Sequence, residues 1–293
     1  MKQIIENDWL KVEIDSNGAE IQAVEHKKNK INYMWTGDSA YWGRVSPVLF
    51  PIVGRLKEDQ YQLEGKTYEM SQHGFLRDID FELSTHSGEN ASFEMASNGR
   101  FKDIYPYEFK AVITYTLNQN SLSVDWKIEN QNSGEMYFSI GAHPAFRIPL
   151  IENEGLEDYH LKFTPAPNKE VMEYELENAL IQEKGVRTNL SDTRVQPELF
   201  AKDAMIYSHI DQIELVSAKS NHGIEVGFTD FPFVGIWSKY NKEKNSIAPF
   251  LCIEPWYGVA DTHDTTGDLK EKFGINQLEA GGVFQKAYTM IFK

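Results

Sequence analysis

Apolar and polar residues alternate with a period of two along much of this chain, and that pattern most narrows its fold. Leu10, Val12 and Ile14 alternate with Lys11, Glu13 and Asp15. Leu122, Val124, Trp126 and Ile128 alternate with Ser121, Ser123, Asp125 and Lys127, and Ile224, Val226 and Phe228 alternate with Glu225 and Gly227. A strand turns successive side chains to opposite faces, so these runs mark half-buried antiparallel strands. Turn signals separate them: Ser16-Asn17-Gly18, Glu64-Gly65-Lys66, Asn98-Gly99, Asn118-Gln119-Asn120 and Ser220-Asn221-His222-Gly223. Helical periodicity is sparse. Residues 267–273 have room for a surface turn or two, and the charged, mixed stretch 170–188 reads as an excursion or loop. No repeat, low-complexity tract or Pro/Gly/Ser-rich linker divides the 293 residues, a length that one all-β domain can reach. The expectation is an all-β chain folded as a large single-domain antiparallel β-sandwich over residues 1–293.

Charge excludes some partners. The formal net charge is −15 with no basic cluster, and polyanion binding draws its affinity from clustered Lys and Arg. Nucleic acid and anionic membranes are therefore not expected partners. There is no run of about 18 apolar residues to form a membrane-spanning helix. The opening Met1-Lys2-Gln3-Ile4-Ile5-Glu6-Asn7-Asp8 lacks the apolar stretch of a signal peptide. The one cysteine, Cys252, permits no intrachain disulfide, which fits a cytoplasmic protein. Its neighbours Leu251 and Ile253 make it buried filler rather than a nucleophile.

Two short segments carry candidate chemistry: Gly141-Ala142-His143-Pro144-Ala145-Phe146, and Leu251-Cys252-Ile253-Glu254-Pro255-Trp256-Tyr257-Gly258. Pro144 holds His143 out of helix and interrupts strand pairing, while the unperturbed imidazole pKa lies near neutrality. Glu254 is a lone carboxylate between an apolar run and an aromatic pair, where a charge needs a partner or a task. A hydrogen-bonded core histidine and an exposed glutamate are the plain alternatives. An acid and a carboxylate base among aromatics are what a sugar hemiacetal needs to open and close its ring. Further candidates are His73 beside Gly74, Arg55 after an apolar run, and Asp203 in a loop, each with an ordinary turn or surface reading beside it. The group Asp261-Thr262-His263-Asp264, with Asp268 nearby, matches neither an EF-hand nor a zinc spacing and reads as a solvated acidic loop. Walker, Rossmann and Gly-x-Ser-x-Gly patterns are missing.

Taken together, Gly18-Ala19-Glu20-Ile21, Tyr41-Trp42, Ser46-Pro47-Val48-Leu49-Phe50-Pro51-Ile52-Val53-Gly54-Arg55, His73-Gly74-Phe75, Gly141-Ala142-His143-Pro144 and Glu254-Pro255-Trp256 resemble the aldose 1-epimerase (galactose mutarotase-like) family. The resemblance is greatest to its shorter branch, which includes proteins encoded in bacterial lactose operons. It implies a supersandwich fold and an isomerase needing neither metal nor cofactor. It implies His143 as general acid, Glu254 as general base, and substrate contacts from His73 and Arg55. Asp203 matches the family's sugar-binding aspartate, in surroundings that depart from the longer mutarotases. In the implied reaction Glu254 takes the proton of the anomeric hydroxyl while protonated His143 donates to the ring oxygen. Proximity to the carboxylate is expected to raise the histidine pKa. Trp237, Trp256 or Tyr257 would stack on the sugar's C–H face. Other readings are a non-catalytic carbohydrate-binding or sensing protein, a hexose-6-phosphate 1-epimerase, and a glycoside hydrolase or lyase. The last is disfavoured by a His–Glu pair where retaining glycosidases use two carboxylates. The oligomeric state is not legible.

Overall fold

A computed structural model describes residues 1–182 and 185–293. Two large antiparallel sheets dominate the described residues. The first has nine strands in the order Thr193–Arg194, Tyr159–Pro165, Ile210–Ser217, Gly223–Gly227, Val283–Phe292, Ser121–Asn130, Phe109–Asn118, Asn90–Ala96 and Glu82–His86. The second has eight. Seven run in the order Val186–Arg187, Met172–Tyr174, Met205–Ser208, Phe233–Trp237, Phe250–Tyr257, Ile140–Ala142 and Val48–Leu49, and Ala145–Arg147 also pairs with Phe250–Tyr257. A smaller sheet, Lys2–Glu6, Leu10–Asp15 and Glu20–His26, carries the chain into the sandwich. No helix among the described residues is long and apolar enough to cross a membrane.

The alternation read from sequence is the alternation of burial. Along Ser121–Asn130 every second residue is buried, from Leu122 to Asn130. Leu122, Val124, Trp126 and Ile128 meet Leu251 and Ile253 of the second sheet in one contiguous apolar core. Burying a side chain such as Leu251 contributes roughly 1.5–3 kcal/mol, so this shared face is what holds the two sheets together.

The strand Phe250–Tyr257 departs from simple alternation, because all eight of its residues are buried. Leu251, Ile253 and Tyr257 face the sandwich core. Phe250 and Cys252 join Trp35 in a second apolar cluster, and Trp256 joins Leu49, Val53 and Phe233 in a third. Glu254 lies between these two outer clusters. The outer face of this central strand is therefore covered too, and a cavity opens there.

Among the described residues helix is confined to 3₁₀ turns such as Leu76–Asp78, Pro197–Phe200 and Leu269–Glu271, the last inside the short helical stretch expected from sequence. The described residues of the stretch 170–188 hold strands that its composition does not announce. Met172–Tyr174 and Val186–Arg187 extend the edge of the eight-stranded sheet. Strands of two or three residues are too short to show a period, and residues 183 and 184 lie outside the described ones. Asp261 is not part of a solvated loop. It is buried with Lys272, 3.8 Å away, and accepts the Lys57 backbone N–H at 3.0 Å. Lys272 also donates to the Val259 carbonyl.

Candidate active site

Strand register brings the two candidate groups together. Gly141 pairs with Trp256 and Ala145 with Cys252, which sets His143 directly across from Glu254. Pro144 has no N–H to give the ladder, so the chain leaves and rejoins the sheet at the histidine. Nε2 of His143 lies 3.1 Å from Oε2 of Glu254. His143 is 6% exposed and Glu254 1%. Their alignment falls short of a hydrogen bond. Glu254 Oε2, His143 Nδ1 and the Trp256 indole N–H have no hydrogen-bond partner among the described residues. Buried polar atoms are rarely left so, and three of them together on a cavity wall invite a polar ligand.

The cavity encloses about 420 Å³, with His73, Arg77, Asp203 and Trp237 also on its wall. Aromatic rings enclose the imidazole. Trp42 stacks on it with centroids 4.7 Å apart and planes at 29°, and Trp237 meets it edge-on at 5.8 Å. Trp256 lies across Gly141 and Gly235, where a Cβ at either position would press on the indole. Those two glycines give the ring its place on the sheet.

His73 sits in a turn with φ of 68°, followed by Gly74 with the same φ, and a Cβ on Gly74 would collide with the Phe50 carbonyl. Only glycine fits that contact. His73 Nδ1 takes the Gly54 backbone N–H at 3.1 Å, so the ring proton belongs on Nε2. Burial lowers the His73 pKa well below the imidazole range, helped by His143, Arg77 and Arg44, and keeps the ring neutral. Asp203 stands at the cavity mouth with φ of 85° and accepts its neighbour Ala204's N–H at 2.9 Å. Burial raises its pKa, against hydrogen bonds from Ala204 and Trp237.

Electrostatics reverse one expectation. Burial lowers His143 from 6.5 to about 3, opposed by its own backbone and reinforced by the charges of Arg77 and Arg44. Burial raises Glu254 well above 4.5, reinforced by Asp203 and opposed by Trp256. The carboxylate does not raise the histidine pKa, because desolvation of two enclosed charges outweighs their attraction. The form that burial favours is a neutral imidazole beside a carboxylic acid. It carries the same single proton as the ion pair would.

Arg55 is not on the cavity wall. Gly54 lines the wall with φ of 74°, and the next side chain turns away to a two-point contact with Asp59 at 2.8 and 2.7 Å. Arg77 takes the place on the wall instead. It donates to the Gln72 carbonyl at 2.8 Å and leaves its buried Nε–H without a partner among the described residues. Sequence reasoning missed Trp42 and Gln72 as site residues. Trp42 lies in a turn-rich segment without periodicity, where the available signal was the Tyr41-Trp42 fragment of the family resemblance.

The chain is thus an antiparallel β-sandwich with an enclosed His–carboxyl pair on the wall of an aromatic-lined cavity. The aldose 1-epimerase family model matches residues 1–270, and the chain belongs to that family. LacX proteins of Lactococcus lactis subsp. lactis, chromosomal and plasmid, are 29% identical over 297 residues, covering 98% of this chain and 97% of theirs. The solved structure of a galactose mutarotase related enzyme from Lactobacillus acidophilus superposes with a TM-score of 0.93 at 36% identity, covering 100% of this chain and 97% of that one. A galactose mutarotase-like protein from Lactobacillus casei ATCC 334 gives 0.91 at 32% identity, with 100% of both chains covered. The fold and family expected from sequence are borne out.

Proposed function

We propose that this protein is an aldose 1-epimerase that interconverts the α and β anomers of a hexose in the cytoplasm, with Glu254 and His143 as its acid–base pair. The observation that carries this reading is the 3.1 Å approach of the two buried groups on the wall of a sugar-sized cavity. A hexose hydroxyl donating to Glu254 Oε2 favours the carboxylate, and the proton then moves to His143. From that state Glu254 takes the C1 hydroxyl proton as His143 protonates the ring oxygen and the C1–O5 bond breaks. Rotation about C1–C2 and closure on the other face reverse the steps. Each positioned proton transfer contributes about 10²–10⁴-fold. His73 and Arg77 are assigned to sugar hydroxyls as neutral and charged donors, Asp203 as an acceptor, and Trp42, Trp237 and Trp256 as walls for the C–H faces. Arg55, paired with Asp59 off the wall, is given no substrate contact.

A second reading, a hexose 6-phosphate substrate, rests on Arg77, whose unpartnered Nε–H would suit an anionic substituent. The test is anomer exchange followed by polarimetry and NMR with α-D-glucose, α-D-galactose and their 6-phosphates. Glu254→Gln and His143→Ala are each expected to lower turnover at least about 10²-fold while circular dichroism stays unchanged. Sugar binding without accelerated exchange would make the protein a binder instead.

A further inference from the structure

We propose that His143, Cys252 and Glu254 form a site for a thiophilic divalent metal ion of the zinc type, and that an ion bound there switches the acid–base pair off. Cys252 and Glu254 are two residues apart on one strand and project to its outer face, and His143 stands across the ladder from Glu254. One ligand atom from each lies within 4.8 Å of the other two, and all three residues are buried. One observation points to a ligand: Glu254 Oε2, 3.1 Å from His143 Nε2, is enclosed without a hydrogen-bond partner among the described residues, and Cys252 beside it is in no disulfide.

The donor set is one nitrogen, one sulfur and one oxygen, which zinc accepts at about 2.0–2.3 Å in tetrahedral geometry. Ligand atoms around such an ion are about 3–4 Å apart, so small side-chain movements close the three onto it. Three protein ligands with a fourth position toward the cavity make an open site rather than a sealed structural one. Charge favours it as well. The thiol and the Glu254 carboxyl each release one proton to solvent while His143 binds as neutral imidazole. A dication then faces a thiolate and a carboxylate, so the occupied site carries no net charge. The ion would hold both groups that must move protons. Occupancy does not depend on the proposed reaction; inhibition does.

The experiment uses the full chain, reduced and stripped of metal. Co²⁺ is added as a spectroscopic probe, and Zn²⁺ is titrated against a chromophoric chelator. The expected result is one tight ion per chain and a thiolate-to-cobalt charge-transfer band. Both should be lost or weakened at least about tenfold in Cys252→Ala and in Cys252→Val, the second variant guarding against a packing defect. The Zn²⁺ concentration that halves anomer exchange, scaled to each variant's own metal-free rate, should rise by the same factor. A missing band, or Zn²⁺ affinity unchanged in both variants, would overturn the proposal. If no sugar is turned over, the band and the chelator titration still decide occupancy.

Discussion

At the centre of this site burial decides which of two facing side chains, His143 or Glu254, holds a proton more readily. The chain itself made both groups visible. His143 is followed by a proline, and Glu254 is a lone charge in an apolar run. The direction of their pKa shifts was not visible, because desolvation depends on what closes over a group in space. Nor was the outward turn of Arg55, which depends on the backbone at Gly54. The depressed histidine has a consequence for pH. A second proton reaches the pair only as pH approaches about 3, so kcat/KM should show no step near 6.5, where an ordinary imidazole acting as acid would make the rate rise as pH falls. A pH-rate profile centred on 6.5 would return His143 to ordinary behaviour. The raised carboxyl has a consequence for stability. The folded chain keeps the Glu254 proton above 4.5 while the unfolded chain gives it up, so the Glu254 contribution to stability declines as pH rises through and above 4.5, offset up to about 6.5 by His143, which only the unfolded chain protonates there. Glu254→Gln carries no such cost. Its Tm should exceed that of the wild type near pH 7, and the gap should close near pH 4.

At the scale of elements, period two was enough to find the strands that face core on one side and solvent on the other. It was silent about Phe250–Tyr257, whose two faces are both covered, and about the two-residue strands at the sheet edges. Alternation tells which face a residue takes, not which strand lies beside it. The pairing of Gly141 and Gly235 with the central strand is a case in point, since only the fold places both beneath Trp256. Gly235→Ala should displace that indole. Overpacking of this kind costs about 1–3 kcal/mol, readable in urea unfolding. If Trp256 walls the sugar site, KM should rise more than kcat falls.

Across the whole molecule, distant parts of the chain meet at the cavity rim. Ala260 lies against Gly54, whose Cβ would come within 2.6 Å of it. Asp261 is held between the Lys57 amide and buried Lys272. The charged residues of 261–272 looked like a solvated face because sequence does not reveal that a lysine and an aspartate are buried together. Lys272→Met should cost about 3–5 kcal/mol, since it leaves Asp261 enclosed and unpaired. Chemical denaturation measures this, and a change within about 0.5 kcal/mol would mean that the pair bears little weight.

The doubly covered strand also sets a timescale. Surface loops open many times for each time a protein unfolds, and sites built on loops share that restlessness. Here the carboxyl sits on a strand with apolar clusters on both sides, and its partner histidine is bracketed by two strands paired to the same one. Separating the pair means breaking the centre of the sandwich. The lifetime of the intact site is therefore close to the lifetime of the fold itself, and any ligand of the cavity comes and goes through motions of the rim.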